Sequence, residues 1–334
     1  MLGKITIFSL LFIMLSFSVK CNVIEATSTL PFKKCMNIGN ALDAPKGEPW
    51  DVTLDNKYFT VIKKAGFDAV RLPVRFSDYA KDSPGYVLDK KFMKKLDGHI
   101  KYALKKKLVV ILDFHHFLEI MESPEQYKAC FLSIWEQLAE RYKDYPPELI
   151  FEVLNEPQKN LSAELWNEYL EEAVSIIRKH DAQRYIVVGG PHYNSPHVLD
   201  ELRLPKADNL ILTFHYYEPS DFAFQSDPHH AGYEHLSGIK WTGSQAEMEK
   251  LMGDFGRVKE FAEQNNLPVF LGEFGVNGRV PEQYRESWIK AVRSEAEKNN
   301  FAWSYWEFAS NFGVYDVKTK KWDSVLLAAL IGTK

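Results

Sequence analysis

A single eight-stranded (β/α)8 barrel is the fold class this sequence predicts, and three observations predict it. Eight short, continuous apolar runs recur along the chain. Helix-patterned segments or long loops separate successive runs. The alternation fills one stretch of a 334-residue chain, with no Gly/Ser linker, low-complexity tract or internal repeat to divide it.

In order, the strand candidates are FKKCMNIG (32–39), AVRLPV (69–74), LVVILDFHH (108–116), LIFEVLNEP (149–157), YIVVGG (185–190), LILTFHYY (210–217), PVFLGEFG (268–275) and FAWSYWEF (301–308). Unbroken apolar runs, rather than alternating ones, suit parallel strands covered by helices on the outside. Between them, 89–106 sets Phe92, Leu96, Ile100, Ala103 and Leu104 on one helical stripe. A second stripe joins Leu165, Tyr169, Leu170, Ala173, Val174 and Ile177, with Ser162 placed to cap it. DSVLLAALI (323–331) reads as a closing helix. Two long non-periodic stretches, 40–54 after the first strand and 218–244 after the sixth, read as binding loops.

The start of the chain reads as an export signal. Lys4 precedes the apolar run 5–19, and Lys20, Cys21 and Asn22 close it. That run is too short for a comfortable membrane span, so a signal peptide over 1–21 is expected, with cleavage as late as residue 30 and a catalytic domain over 31–334. Lys20 stands where a lipoprotein signal wants a small residue, so lipidation at Cys21 is not expected and the product is expected to be secreted. Cys35 and Cys130 then remain, at no metal-like spacing, and read as two buried free thiols. Net charge is −4 and charged residues are 26% of the chain, a near balance that gives no pull toward nucleic acid or a membrane surface. A monomer is expected.

A parallel barrel presents its site at the C-terminal ends of its strands. There this sequence places Arg71, His115, His116, Asn155, Glu156, His215, Tyr217, Glu273, Trp306 and Glu307. Each alone has a bland explanation: a rim ion pair, a hydrogen-bonded histidine, a plug of the barrel mouth. Together they are costly, because a purely structural barrel gains little by desolvating so many polar groups at one end. Glu156 and Glu273, on the fourth and seventh strands, face one another across the ring. Two facing carboxylates can divide the labour of an acid and a nucleophile when their surroundings split their pKa values. Arg71 and Tyr217 are placed to hold one ionised, and its charge then favours the protonated form of the other. That pairing suits glycoside hydrolysis.

The motifs RLPVRF (71–76), DFHH (113–116), LIFEVLNEP (149–157), HYYEP (215–219), LGEFGV (271–276) and WSYWEF (303–308) carry a family resemblance over about residues 33–330. The chain resembles the clan-A retaining glycosidases, and within them the endo-β-1,4-glucanase (cellulase) group of glycoside hydrolase family 5. The resemblance implies Glu156 as acid/base and Glu273 as nucleophile, with carboxyls about 5–5.5 Å apart. It implies Arg71 and Tyr217 as the groups holding the nucleophile ionised, Asn155 on the sugar 2-hydroxyl and His215 beside the acid/base. It makes His115, His116 and Trp306 walls of the scissile-sugar subsite, with a cis peptide after Trp306. NIGNALDAP (37–45) makes Asn40 and Asp43 further contact candidates. Trp241 is expected to stack on a sugar on the leaving-group side. The substrate expected is a β-glucan polysaccharide or oligosaccharide, with no cofactor and no metal.

Three rivals stand beside this. A metal-dependent hydrolase would use His115 and His116, but neighbours on a strand point to opposite sides. A non-catalytic sugar-binding barrel would keep the rings without needing both glutamates. The same chemistry on β-mannan, xyloglucan or lichenan stays open.

Overall fold

A computed structural model describes residues 30–82 and 84–332. The expected export segment and Cys21 lie outside the described residues. Eight parallel strands close into a barrel in sequence order: β1 (Lys34–Asn37), β2 (Ala69–Val74), β3 (Val109–Phe114), β4 (Leu149–Glu152), β5 (Ile186–Gly189), β6 (Leu210–Tyr216), β7 (Val269–Phe274) and β8 (Ala302–Tyr305). Each lies inside its expected run. β1 pairs with both β2 and β8, which removes every sheet edge. A two-stranded ribbon, Tyr315–Asp316 with Lys321–Trp322, follows the barrel.

The helices start where the sequence supplies caps. Asp89 accepts the Phe92 N–H ahead of Lys90–Lys105, and Ser162 accepts the Leu165 N–H ahead of Ala163–His180. Asp323 caps the closing helix Ser324–Ile331. Ser244 and Glu247 form a capping box that ends the long loop after β6 and begins Gln245–Gln264. Among the described residues no helix is long and apolar enough to cross a membrane.

The period-2 alternation of each strand builds the barrel interior in layers. Cys35, Ala69, Val109, Ile111, Ile150, Val187, Ile211, Phe270 and Ala302 form an apolar floor with Phe32. Two residues further along their strands, the next inward positions are Asn37, Arg71, Asp113, Glu152, Gly189, Thr213, Gly272 and Ser304. All but the two glycines are buried polar side chains. The outward faces pack against the helices in a second, larger core that includes Trp135, Trp166, Trp288 and Trp303. Cys35 and Cys130 are both buried and free, as expected.

Candidate active site

Arg71 is the centre of the polar layer. Its guanidinium has five N–H groups, and five hydrogen bonds receive them. Nε and Nη2 fork onto Glu152 at 2.7 and 2.8 Å, and Nη2 also reaches Asn155 Oδ1 at 2.8 Å. Nη1 reaches Asn37 Oδ1 at 3.1 Å and Glu273 Oε1 at 2.7 Å. Asn37 is itself fixed by donating to Ser304 Oγ and the Gly272 carbonyl. Asp113 Oδ2 lies 3.0 Å from Nη2 and 2.5 Å from His115 Nδ1, while its Oδ1 has no hydrogen-bond partner. Burial pushes Asp113 up to about 7, against the pull of Arg71.

Glu273 sits where the register of β7 shifts against both neighbours, between Phe214 and His215 on β6 and between Leu271 and Phe274 on its own strand. Such irregularities re-aim side chains at a barrel rim. Gly272 makes the approach possible, since a Cβ there would lie 2.6 Å from Thr213 Oγ1 and 3.0 Å from His215 Nε2. The Tyr217 hydroxyl donates to Glu273 Oε2 at 2.8 Å, opposite the Arg71 contact. Burial raises the Glu273 pKa, and His215, Arg71 and the Tyr217 hydroxyl oppose it.

Glu156 lies four residues beyond the end of β4 with φ of 49°. Its Oε1 is 2.7 Å from His215 Nδ1, which is also 3.7 Å from Glu273 Oε2. One carboxyl oxygen of each glutamate and a His215 nitrogen all lie within 4.8 Å of one another. Burial pushes Glu156 up to about 7, with Arg71 and His230 working against it. Burial lowers His215, which keeps the imidazole neutral. The Asn194 amide approaches its Nε2 at 3.4 Å, so Nδ1 is left to carry the proton toward Glu156. The two carboxyls therefore have different surroundings. Glu273 is gripped by a cation and a hydroxyl; Glu156 has a neutral imidazole and a side chain 23% exposed.

Trp306 follows β8, and its peptide to Glu307 is cis. Its ring stacks on His115 at 5.6 Å with 8° between planes. A Cβ on Gly39 would lie 2.5 Å from the indole, so the second residue after β1 must be bare for the ring to sit there.

A family model described as Cellulase (glycosyl hydrolase family 5) matches residues 38–312. The chain belongs to that family. Among solved structures, the cellulose synthase subunit Z (CcsZ) of Clostridioides difficile is 52% identical with a TM-score of 0.88, over 90% of this chain and 99% of that one. Cel5A of Thermotoga maritima with cellobiose is 42% identical with a TM-score of 0.88, over 90% of this chain and 97% of that one. The same enzyme with mannotriose is 41% identical, at the same TM-score and coverages. Endoglucanase H of Acetivibrio thermocellus is 32% identical over 303 residues, which are 88% of this chain and 32% of that protein. The chain thus spans about a third of that relative's length.

In this family 5 hydrolase the structure brings Arg71, Asn155, Glu156, His215, Tyr217 and Glu273 into one hydrogen-bonded set, with His115 and Trp306 beside it. Asn155 Oδ1 accepts from Arg71, so its NH2 end is what remains for a substrate hydroxyl. His115 and His116 do not point to opposite sides as expected. β3 ends at Phe114, and His116 turns left-handed with φ of 53°, so the rings meet edge-to-face at 4.3 Å. They converge with Asp43 into a set whose ligand atoms lie within 4.8 Å of one another, the arrangement closest to a metal site outside the two glutamates among the described residues. Asp43 itself is fully buried, accepting the N–H groups of Asn40 and Ala41. Asn40 donates its NH2 to both Glu307 oxygens, at 2.8 and 2.7 Å. Asp43 thus shapes the loop, while Asn40 is half-buried and spends its NH2 on Glu307.

Trp241 corrects a clear expectation. It is 3% exposed and packs with Tyr216, Pro219, Leu251 and Trp288 around a small cavity, so it offers no face to a sugar. The sequence reading also passed over Asp113 and Glu152, which lie inside apolar runs. Their signal is a charge at the inward register of a parallel strand. Two exposed rings went unassigned as well: Trp50, 40% exposed and 5.7 Å from His116, and Tyr193, 53% exposed. Tyr193 sits in a left-handed run, His192 to Asn194, that carries Asn194 to His215.

Proposed function

We propose that this family 5 hydrolase is an exported, endo-acting β-1,4-glucanase that cleaves by double displacement, with Glu273 as nucleophile and Glu156 as acid/base. The observation that carries the mechanism is the closeness of the two carboxyls, whose nearest oxygens lie within 4.8 Å. Inverting pairs stand roughly 6.5–9.5 Å apart to admit a water, which this spacing does not favour. In the first step Glu273 attacks the anomeric carbon and Glu156 gives its proton to the departing oxygen. In the second, Glu156 takes a proton from water, and that water displaces the glycosyl ester with net retention. Arg71 and the Tyr217 hydroxyl favour the ionised Glu273; His215 orients Glu156; Trp306 and His115 form the sugar's floor.

Glucan as the substrate is supported by the relatives called endoglucanase and by the cellobiose complex of the Thermotoga enzyme. The mannotriose complex supports β-mannan as a second substrate. The Clostridioides relative, covered over 99% of its chain, is called a cellulose synthase subunit. It supports a place beside cellulose synthesis, where an endo-cut would trim or release nascent chains. Export is supported by the residue pattern over 1–22.

The test is hydrolysis of carboxymethylcellulose, lichenan, glucomannan and xylan, with the anomer of the first-formed product read by NMR. Rapid viscosity loss on carboxymethylcellulose with a β-product is expected. An α-product overturns the mechanism, and activity confined to mannan overturns the substrate.

A further inference from the structure

A line from Glu156, after β4, to Glu273, on β7, divides the closed ring of strands into two arcs. The arc through β8, β1, β2 and β3 carries Trp306 stacked on His115, with His116 and Trp50 beyond. The arc through β5 and β6 carries His215 and Tyr217, and from Tyr217 a second chain of rings runs outward. Phe224 lies 4.8 Å from the Tyr217 ring, and His230 lies 4.4 Å from Phe224 with 28° between planes. Phe312 closes edge-on against Phe224 at 5.8 Å. The chain begins at the hydroxyl that holds Glu273 and ends at an imidazole whose side chain is 47% exposed.

His230 is exposed, yet it is oriented. Asp227, 1% exposed, meets its Nδ1 at 2.9 Å and accepts the His229 N–H at 3.0 Å. The surrounding loop is tied down: the buried Gln225 donates to the Phe222 and Ile239 carbonyls and accepts the Ile239 N–H. Ser226 Oγ donates to the Leu236 carbonyl. One ring face is therefore covered by Phe224 and one nitrogen held by Asp227, which leaves the other face and Nε2 for a ligand. A pyranose matches that pair, with an apolar C–H face to lay on a ring and hydroxyls able to donate or accept at its edge.

We propose that His230, held by Asp227 and backed by Phe224, forms the sugar subsite on the leaving-group side of the cut. The same loop was expected to supply this platform through Trp241, which is buried instead. The proposal rests on Glu156 being the acid that faces the departing sugar. It makes His230 specific to substrates whose leaving group is a sugar, with no part in attack on the anomeric carbon.

Cellotetraose and β-cellobiosyl fluoride separate these roles, because fluoride departs without filling a sugar subsite. His230→Ala is expected to lower kcat/KM on cellotetraose about tenfold, with much of the change in KM, and to leave the fluoride within about twofold of wild type. His230→Phe, which keeps the flat face and loses the nitrogen, is expected to recover part of the loss. Equal losses on both substrates, or full activity of His230→Ala on cellotetraose, would overturn the proposal. A wild type that hydrolyses neither substrate would overturn the glucanase reading and the subsite with it.

Discussion

Arg71 holds Glu273 at 2.7 Å with one edge of its guanidinium while its other edge is forked onto Glu152. The nucleophile candidate is thus tied to the barrel interior through a planar cation with every donor used. A lysine ammonium is a point charge with three donors and cannot reproduce the fork. Arg71→Lys is expected to lower kcat on cello-oligosaccharides by at least 100-fold. It is also expected to reduce unfolding free energy by about 3 kcal/mol, because buried carboxylates lose hydrogen bonds. Paired kinetics and denaturant unfolding check this; wild-type stability with lysine in place would show that the network is not what anchors the site.

Trp50 extends the other side of the cleft, edge-on to His116 in the loop after β1. Its exposed ring is expected to meet a sugar two or more units from the cut on the non-leaving side. Trp50→Ala should reduce kcat/KM for cellohexaose by about tenfold while changing cellotriose little, since a short substrate does not reach it. Product analysis by chromatography would detect the shift. The same fractional loss on both lengths would mean that the indole only shapes its loop.

The raised pKa of Glu156 has two consequences of opposite kind. As the acid of the first step it must be protonated, so kcat/KM should fall as pH rises through about 7. For stability, the unfolded carboxyl ionises near pH 4.3 while the folded one keeps its proton until about 7. The folded state then binds the extra proton, so this group's burial costs stability as pH rises through that window, and costs nothing below it. Glu156→Gln should therefore be more stable than wild type by about 3 kcal/mol at pH 7.5, with the gain gone by about pH 4. Melting curves across pH test the sign. A gain independent of pH would point to packing rather than to the proton.

The barrel was legible because its strands are unbroken apolar runs, and each polar motif marks where a strand leaves the floor. Glu156 and Glu273 were legible for the same reason. Asp113 and Glu152 were not, because a run such as LIFE (149–152) reads as core, and only the inward register shows that its glutamate faces Arg71. Trp241 misled because an indole is the platform that composition favours, and composition does not show that the loop buries it. The histidine pair misled because strand alternation was applied past the last strand residue, Phe114.

Glu156 and Glu273 are the same residue type in one hydrogen-bonded cluster, and chemistry separates them better than position does. With Glu273 esterified, its negative charge is gone, the repulsion that favours a proton on Glu156 relaxes, and Glu156 can serve as base. A leaving group that departs readily as an anion needs no acid. Glu156→Ala is therefore expected to keep its first step on an activated β-aryl cellobioside while nearly losing polymer hydrolysis. Azide should then accelerate its second step and yield a β-glycosyl azide, since that anion attacks the ester without a base. Glu273→Ala lacks the attacking oxygen, so it should be almost inactive on both substrates. Azide in the vacated space would displace the leaving group directly from an activated donor and give the α-azide. Product stereochemistry by NMR reads both variants. An α-azide from Glu156→Ala together with a β-azide from Glu273→Ala would reverse the two assignments, and would mean that the Arg71 and Tyr217 contacts hold the acid rather than the nucleophile.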